Sequence, residues 1–184
     1  EIWRKRQEDA HIAAVSQGNK KDIDVFGVFD GHGGKEISQF VSNHFTQELV
    51  INKNLPADMS QALKETFIKM DEIMQTPESI EEIKKYARLS KEQDDLQSKN
   101  EPPNSQMALI SQLIPPKDPE ANDISMRTGC TACVMSIDET NKKLYFANAG
   151  DSRVVLCKNG VAEAKSEDHK PEMDSEKTRI YKDL

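Results

Sequence analysis

The sequence predicts an α+β fold in one domain, with antiparallel strands near both ends and helices between them. Short strand-forming runs occupy residues 12–29 and 131–164, and amphipathic stripes fill most of the stretch from 35 to 76. The 184 residues suffice for one hydrophobic core and are too few for two comfortable ones.

Taken in order, Ile12 to Val15 and Ile23 to Phe29 read as two strands joined by a polar turn containing Gly18-Asn19. The second is apolar on both faces from Val25 to Phe29, which marks it as central and buried, with Asp30 just past its end. After Gly33-Gly34 the period changes. Ile37, Phe40, Val41, Phe45 and Leu49 fall on one face of a helix from about Lys35 to Val50. Asp58 followed by Gln61 forms a capping box for a second helix, whose buried stripe is Met59, Ala62, Leu63, Phe67, Met70 and Met74. Thr76-Pro77 supplies the N-cap and first position of a third.

From about Ser90 to Arg127 the pattern gives way to charges, amides and the pairs Pro102-Pro103 and Pro115-Pro116, broken only by the apolar patch Met107 to Ile114. This stretch, about 90–127, reads as a surface insertion, partly disordered. Strand signals resume at Thr131 to Ile137, Lys143 to Ala147 and Arg153 to Cys157, separated by the turns 138–141 and 149–152. Asn159-Gly160 then turns the chain into Val161 to Ala164, which predicts an antiparallel meander.

Composition narrows the function. With 25 Lys+Arg against 32 Asp+Glu the formal charge is −7, which argues against a general nucleic-acid or anionic-membrane surface. The 36% hydrophobic content fits a polar insertion alongside a core. Cys130, Cys133 and Cys157 make no disulfide framework, so a reducing compartment, cytoplasmic and/or nuclear, is expected. No apolar run approaches a membrane span. Glu1-Ile2-Trp3 at one end and Asp183-Leu184, within a helical pattern, at the other both read as cut ends.

The chemistry concentrates where Asp30 leaves a buried strand into Gly31-His32-Gly33-Gly34. A carboxylate, an imidazole and side-chain-free backbone in one turn suit metal and phosphate chemistry. A hard cation such as Mg²⁺ or Mn²⁺ takes oxygen ligands, which Asp30 offers by its side chain and Gly31 by its carbonyl. The competing reading is a glycine turn with a satisfied Asp. Glu8-Asp9, preceded by Arg4, Lys5 and Arg6, is by itself an ordinary solvated charge run. Beside Asp30 the acids could converge on a cation and an Arg could grip a phosphate bidentately. Asp151, in Asn148-Ala149-Gly150-Asp151-Ser152-Arg153, has turn chemistry as its plain alternative, and Glu167-Asp168-His169-Lys170-Pro171 could be an exposed loop before a helix. The Cys130-x-x-Cys133 pair could be redox-active or half a zinc site, but with no second pair packing is the simpler account.

Taken together, Arg4 with Glu8-Asp9-Ala10, Val28 to Gly34, Thr128 to Ala132, Asn148 to Arg153 and Asp168 to Pro171 resemble, in order, the motifs of the metal-dependent protein serine/threonine phosphatases of the 2C type. The resemblance spans the chain to Ile180 apart from the insertion, and identifies residues 1–184 as part of a phosphatase catalytic domain. It implies a four-layer sandwich of two antiparallel sheets flanked by helices, with a two-metal Mg²⁺ or Mn²⁺ centre, a third weaker metal position, and phosphorylated proteins as substrates. It also implies roles: Asp30 bridging both metals, Gly31 lending a carbonyl, Glu8 and Asp9 acting through bound water, and Asp151 serving the third position. Arg4 would hold the phosphate and His32 would be general acid. Two cations can activate a water, so no protein nucleophile is required. Gln7 stands where methionine is common and Ile2 where glycine is, neither a ligand position. Two further metal-binding aspartates are expected downstream, in Asp-Gly and Asp-Asn steps, so the 184 residues alone are expected to bind metal weakly and show little activity. The same gap supports a second reading, a catalytically dead or truncated module that binds a partner. Oligomeric state is left open.

Overall fold

The structure is a computed structural model and describes residues 7–15, 23–100 and 127–182. The two N-terminal strands pair antiparallel as expected, the first over Ala10–Ala14 instead of Ile12–Val15. Strand β1 (Ala10–Ala14) pairs antiparallel with β2 (Ile23–Phe29), Ala10 opposite Phe29 and Ala14 opposite Val25. The Gly18-Asn19 turn lies outside the described residues. β2 also pairs along its other edge with β5 (Ala132–Asp138), which hairpins to β6 (Lys143–Ala149), giving the order β1-β2-β5-β6. The predicted central position of β2 follows, but it is buried on one face only, since no described element covers the face that carries Val28. Val25 and Phe29 are fully buried because the helices cover the face they point to.

Helix α1 (Glu36–Ile51) lays Ile37, Phe40, Val41, Phe45 and Leu49 on that face, all buried. Helix α2 (Met59–Ile73) adds Met59, Ala62, Leu63 and Met70, and its N-cap Asp58 accepts the N–H of Gln61 at 2.9 Å. The reciprocal half of the predicted box does not form, because the Gln61 amide turns to Glu65 instead. Glu65 also accepts Asn52 and Asn54, which ties the α1–α2 loop to the body of α2. Phe45 is the hinge of the core, 5.9 Å from Phe29 and edge-on to Phe67 at 5.4 Å.

Helix α3 (Pro77–Asn100) starts as predicted, with the Thr76 hydroxyl accepting the N–H of Ser79. It continues through Asn100, whereas the sequence pattern fades near Ser90. Beyond Ala87 the helix has little apolar surface to bury, so its sequence loses the stripe without losing the helix. Residues 101–126 of the expected insertion lie outside the described part.

The predicted meander is two hairpins in two sheets. β7 (Val155–Lys158) and β8 (Val161–Lys165) form a separate ribbon, because Gly150 (φ +102°) turns the chain out of β6 and the sheet stops there. A two-residue β3 (Gly31–His32) pairs with β4 (Gly129–Cys130), and α4 (Asp174–Lys182) closes the described chain. The α+β class stands. Among the described residues one helical layer covers one face of the four-stranded sheet. The other face carries Val28 and Leu144, 51% and 42% exposed.

Candidate active site

The site is built where β2 ends. Asp30, half-buried, leaves the strand, and its carbonyl accepts the N–H of Thr131 at 2.9 Å. Thr131 is free to do this because it falls between β4 and β5 and pairs in neither ladder. Gly31 and His32 then make the short ladder with Cys130 and Gly129. Backbone from the N-terminal segment presses directly on this turn. A Cβ at Gly31 would lie 2.2 Å from the Glu8 carbonyl oxygen, so only glycine lets the two chains meet. The same Glu8 carbonyl accepts the hydroxyl of Ser38, from the first turns of α1. Glu8 is therefore held beside Gly31 through its backbone.

His32 is exposed, and its ring lies across the Cα of Gly129. A Cβ at Gly129 would sit 2.6 Å from Nε2 and 3.0 Å from Cε1. Gly33 has φ +72°, and a Cβ there would come 2.3 Å from the Arg127 carbonyl oxygen, so conformation and space both require glycine.

The Asp151 turn is held from two sides. The Thr131 and Ser152 hydroxyls are 2.6 Å apart, and the space a Gly150 Cβ would take is filled by the Thr131 side chain. On the other side the segment 166–170 acts as a strap. The Asn148 amide donates to the carbonyls of both Gly150 (3.1 Å) and Glu167 (2.9 Å), and the His169 N–H donates to the Gly150 carbonyl (2.8 Å). The Gly150 N–H returns a longer bond to His169 Nδ1 at 3.3 Å. Arg153 grips Asp168 bidentately at 2.7 and 2.8 Å, with Lys170 at 3.6 Å. Those hydrogen bonds hold the Asp168 carboxyl below its ordinary range and raise the Arg153 guanidinium. Asp168 to Lys170 thus read as the clasp on the Asp151 turn.

Burial pushes the Cys130 thiol up to about 12, assisted by the charges of Asp71 and Asp30, and burial also raises Cys133. All three cysteines are free. A thiol that resists ionisation is a poor nucleophile and a poor metal ligand, which agrees with packing as the role of the pair.

Of the sequence-predicted residues, the fold brings Asp30, Gly31, His32 and the backbone of Glu8 together, and links the Asp151 turn to them through Thr131. Asp9 is exposed and accepts the Gln7 amide at 3.1 Å. Arg4 lies outside the described residues. Carboxylates and a carbonyl are the oxygen donors that a hard divalent cation takes, so the chemistry of the set fits Mg²⁺ or Mn²⁺. Among the described residues, however, no group of three or more His, Cys, Asp and Glu is placed to hold a metal ion. Thr131, Ser38, Asn148 and Gly129 make the contacts that hold these turns, and none of the four stands out individually in the sequence. Thr131 and Gly129 lay within the Thr128–Ala132 string and Asn148 opened the Asp151 motif, while Ser38 carried no signal beyond its place in α1.

The fold and the oxygen donors at the sheet end define an α+β protein with a candidate metal site, and a fold of this kind does not by itself decide the function. The comparisons are specific. The model of the protein phosphatase 2C family matches residues 1–85 and 78–183. The chain belongs to the protein phosphatase 2C family. It is 40% identical over 179 residues to probable protein phosphatase 2C 3 of Paramecium tetraurelia, covering 97% of this chain and 48% of that protein. It is 35% identical over 187 residues to probable protein phosphatase 2C 21 of Arabidopsis thaliana, covering 98% and 51%. The chain spans about half the length of these curated relatives. Among solved structures, serine-threonine phosphatase 2C from Toxoplasma gondii shares the fold, with a TM-score of 0.55 at 21% identity over 97% of this chain and 51% of that one. A sex-determining protein of C. elegans gives 0.63 at 22% identity, over 97% and 35%. Divalent-metal dependence goes with the family.

Proposed function

We propose that this chain forms part of the catalytic domain of an enzyme that hydrolyses phosphoserine and phosphothreonine in phosphorylated proteins, using Mg²⁺ or Mn²⁺. The observation that carries the reading, with family membership, is that the Asp30-Gly31-His32 turn and the Asp151 turn are fastened to one residue, Thr131. In this reading Asp30, the Gly31 carbonyl and Asp151 would hold the divalent cations. Glu8 and Asp9 act through water, and Arg4 holds the phosphate. When bound, the cations supply an activated water and neutralise charge on the phosphoryl oxygens. The protein's own task is to hold oxygens in place and to supply a proton. His32, exposed at the rim with its ring steadied over Gly129, is suited to protonate the departing serine or threonine oxygen.

Three free cysteines support a reducing compartment, cytoplasmic and/or nuclear. Among the described residues no helix is long and apolar enough to cross a membrane. The test is phosphate release from a phosphopeptide by the complete gene product with Mn²⁺. Release should depend on the metal and collapse in Asp30→Asn, and equal activity in that variant would refute the proposal.

A further inference from the structure

We propose that Thr131 is a positioning residue whose backbone and hydroxyl together set the spacing of the Asp30 and Asp151 turns. The inference deepens the phosphatase reading and rests on it for its catalytic consequence.

Two loops that each present a carboxylate repel one another until a cation lies between them, so neutral groups have to hold the spacing beforehand. Two hydrogen bonds of Thr131 do this, and its side chain fills the space beside them. Its N–H, left over between two strands, donates to the Asp30 carbonyl at 2.9 Å. Its Oγ1 lies 2.6 Å from the hydroxyl of Ser152, the neighbour of Asp151. Its β-carbon and methyl occupy the space over Gly150, where a Cβ would come within 2.7 Å of Cγ2 and 2.8 Å of Cβ. The 166–170 strap presses the same turn from behind through Asn148 and His169, so Thr131 is the stop against which the turn is held. Neither carboxylate has to touch Thr131 for its placement to depend on it.

The hydroxyl and the shape can be separated. Thr131→Val keeps the shape and removes the hydroxyl, while Thr131→Ser keeps the hydroxyl and removes the methyl. In the complete gene product, Thr131→Val is expected to raise the Mn²⁺ concentration for half-maximal phosphate release about fivefold, the effect of one lost hydrogen bond. Turnover at saturating Mn²⁺ should be largely kept, and Thr131→Ser should stay within about twofold of the parent. In the 184-residue chain, amide hydrogen exchange at Asp151 and Ser152 should quicken in Thr131→Val and not in Thr131→Ser, with β2 and β5 amides unchanged.

If Thr131→Val matches the parent in exchange, or if Val and Ser variants lose equally, the proposal is overturned. A fall in turnover at saturating metal with no shift in half-saturation overturns it as well. If the parent protein releases no phosphate with Mn²⁺, the phosphatase reading falls, and the exchange measurement alone decides whether Thr131 couples the two turns.

Discussion

Gly129 has no side chain because the imidazole of His32 occupies the place one would take. Gly129→Ala should therefore displace the ring while leaving the β3–β4 pairing formed. The expected outcome is a drop in turnover of about tenfold, a partial loss of the roughly 10²–10⁴-fold that general acid catalysis supplies, with little change in melting temperature. Steady-state kinetics with a phosphopeptide, alongside a thermal melt, check both halves. The thiols give a second prediction. The reactive species is the thiolate, and burial holds Cys130 and Cys133 as thiols, Cys130 to about pH 12. Exposed Cys157 should alkylate first at pH 8, and Cys130 should remain unmodified in the folded chain, as peptide mass mapping would show. The raised thiols add stability that is full below their unfolded values and is lost as the pH rises through the folded ones. An alkaline limit between about 9 and 12 follows. Residue strings such as Val28 to Gly34 made one side of the site legible in the sequence. Thr131 was not legible in its role, because its contacts depend on which strand β2 pairs with, and no local pattern encodes that partner.

Helix α3 shows how an element can be seated by a few residues. Ile83 and Ala87 enter the core, and a polar cluster beside them joins α3 to α1. Asn43 donates to the Tyr86 hydroxyl at 2.8 Å, Tyr86 donates to Glu82, and His44 Nε2 lies 2.9 Å from Glu82. Burial pushes the Glu82 carboxyl up, but hydrogen bonds from Tyr86 and His44, with the charges of His44 and Lys85, outweigh it and hold the carboxyl below its usual range. A depressed carboxyl stabilises above its unfolded value of about 4.3, and that contribution is lost as the pH falls through the folded one. Amide exchange across Pro77–Asn100 should thus quicken below about pH 4, ahead of α2, and Glu82→Gln should remove the difference. Ile83→Ala should destabilise by roughly 2–4 kcal/mol in chemical denaturation. The buried stripes of α1 and α2 were legible because a helix buried along its length repeats its apolar residues at a fixed period. The last turns of α3 were not. A solvated helical segment has no such period, and its charges read equally well as loop.

At the scale of the molecule, the four-stranded sheet has one face under helices and one that still shows Val28 and Leu144. The isolated 184 residues should bind an apolar dye, and Val28→Lys with Leu144→Lys should weaken that binding without loss of helical circular dichroism. Equal dye binding by parent and variant would show that the face is already covered.

The β2–β5 pairing brings the end of one hairpin against the start of the other, with all three long helices and residues 101–126 strung between them. In polymer terms this pairing closes one very large ring, and lengthening such a ring is nearly free: each doubling costs only about 0.6 kcal/mol. A single-residue slip in the register would instead turn every β2 side chain to the wrong face. Length between Asn100 and Arg127 can therefore drift over evolutionary time, and a register shift of the strands cannot.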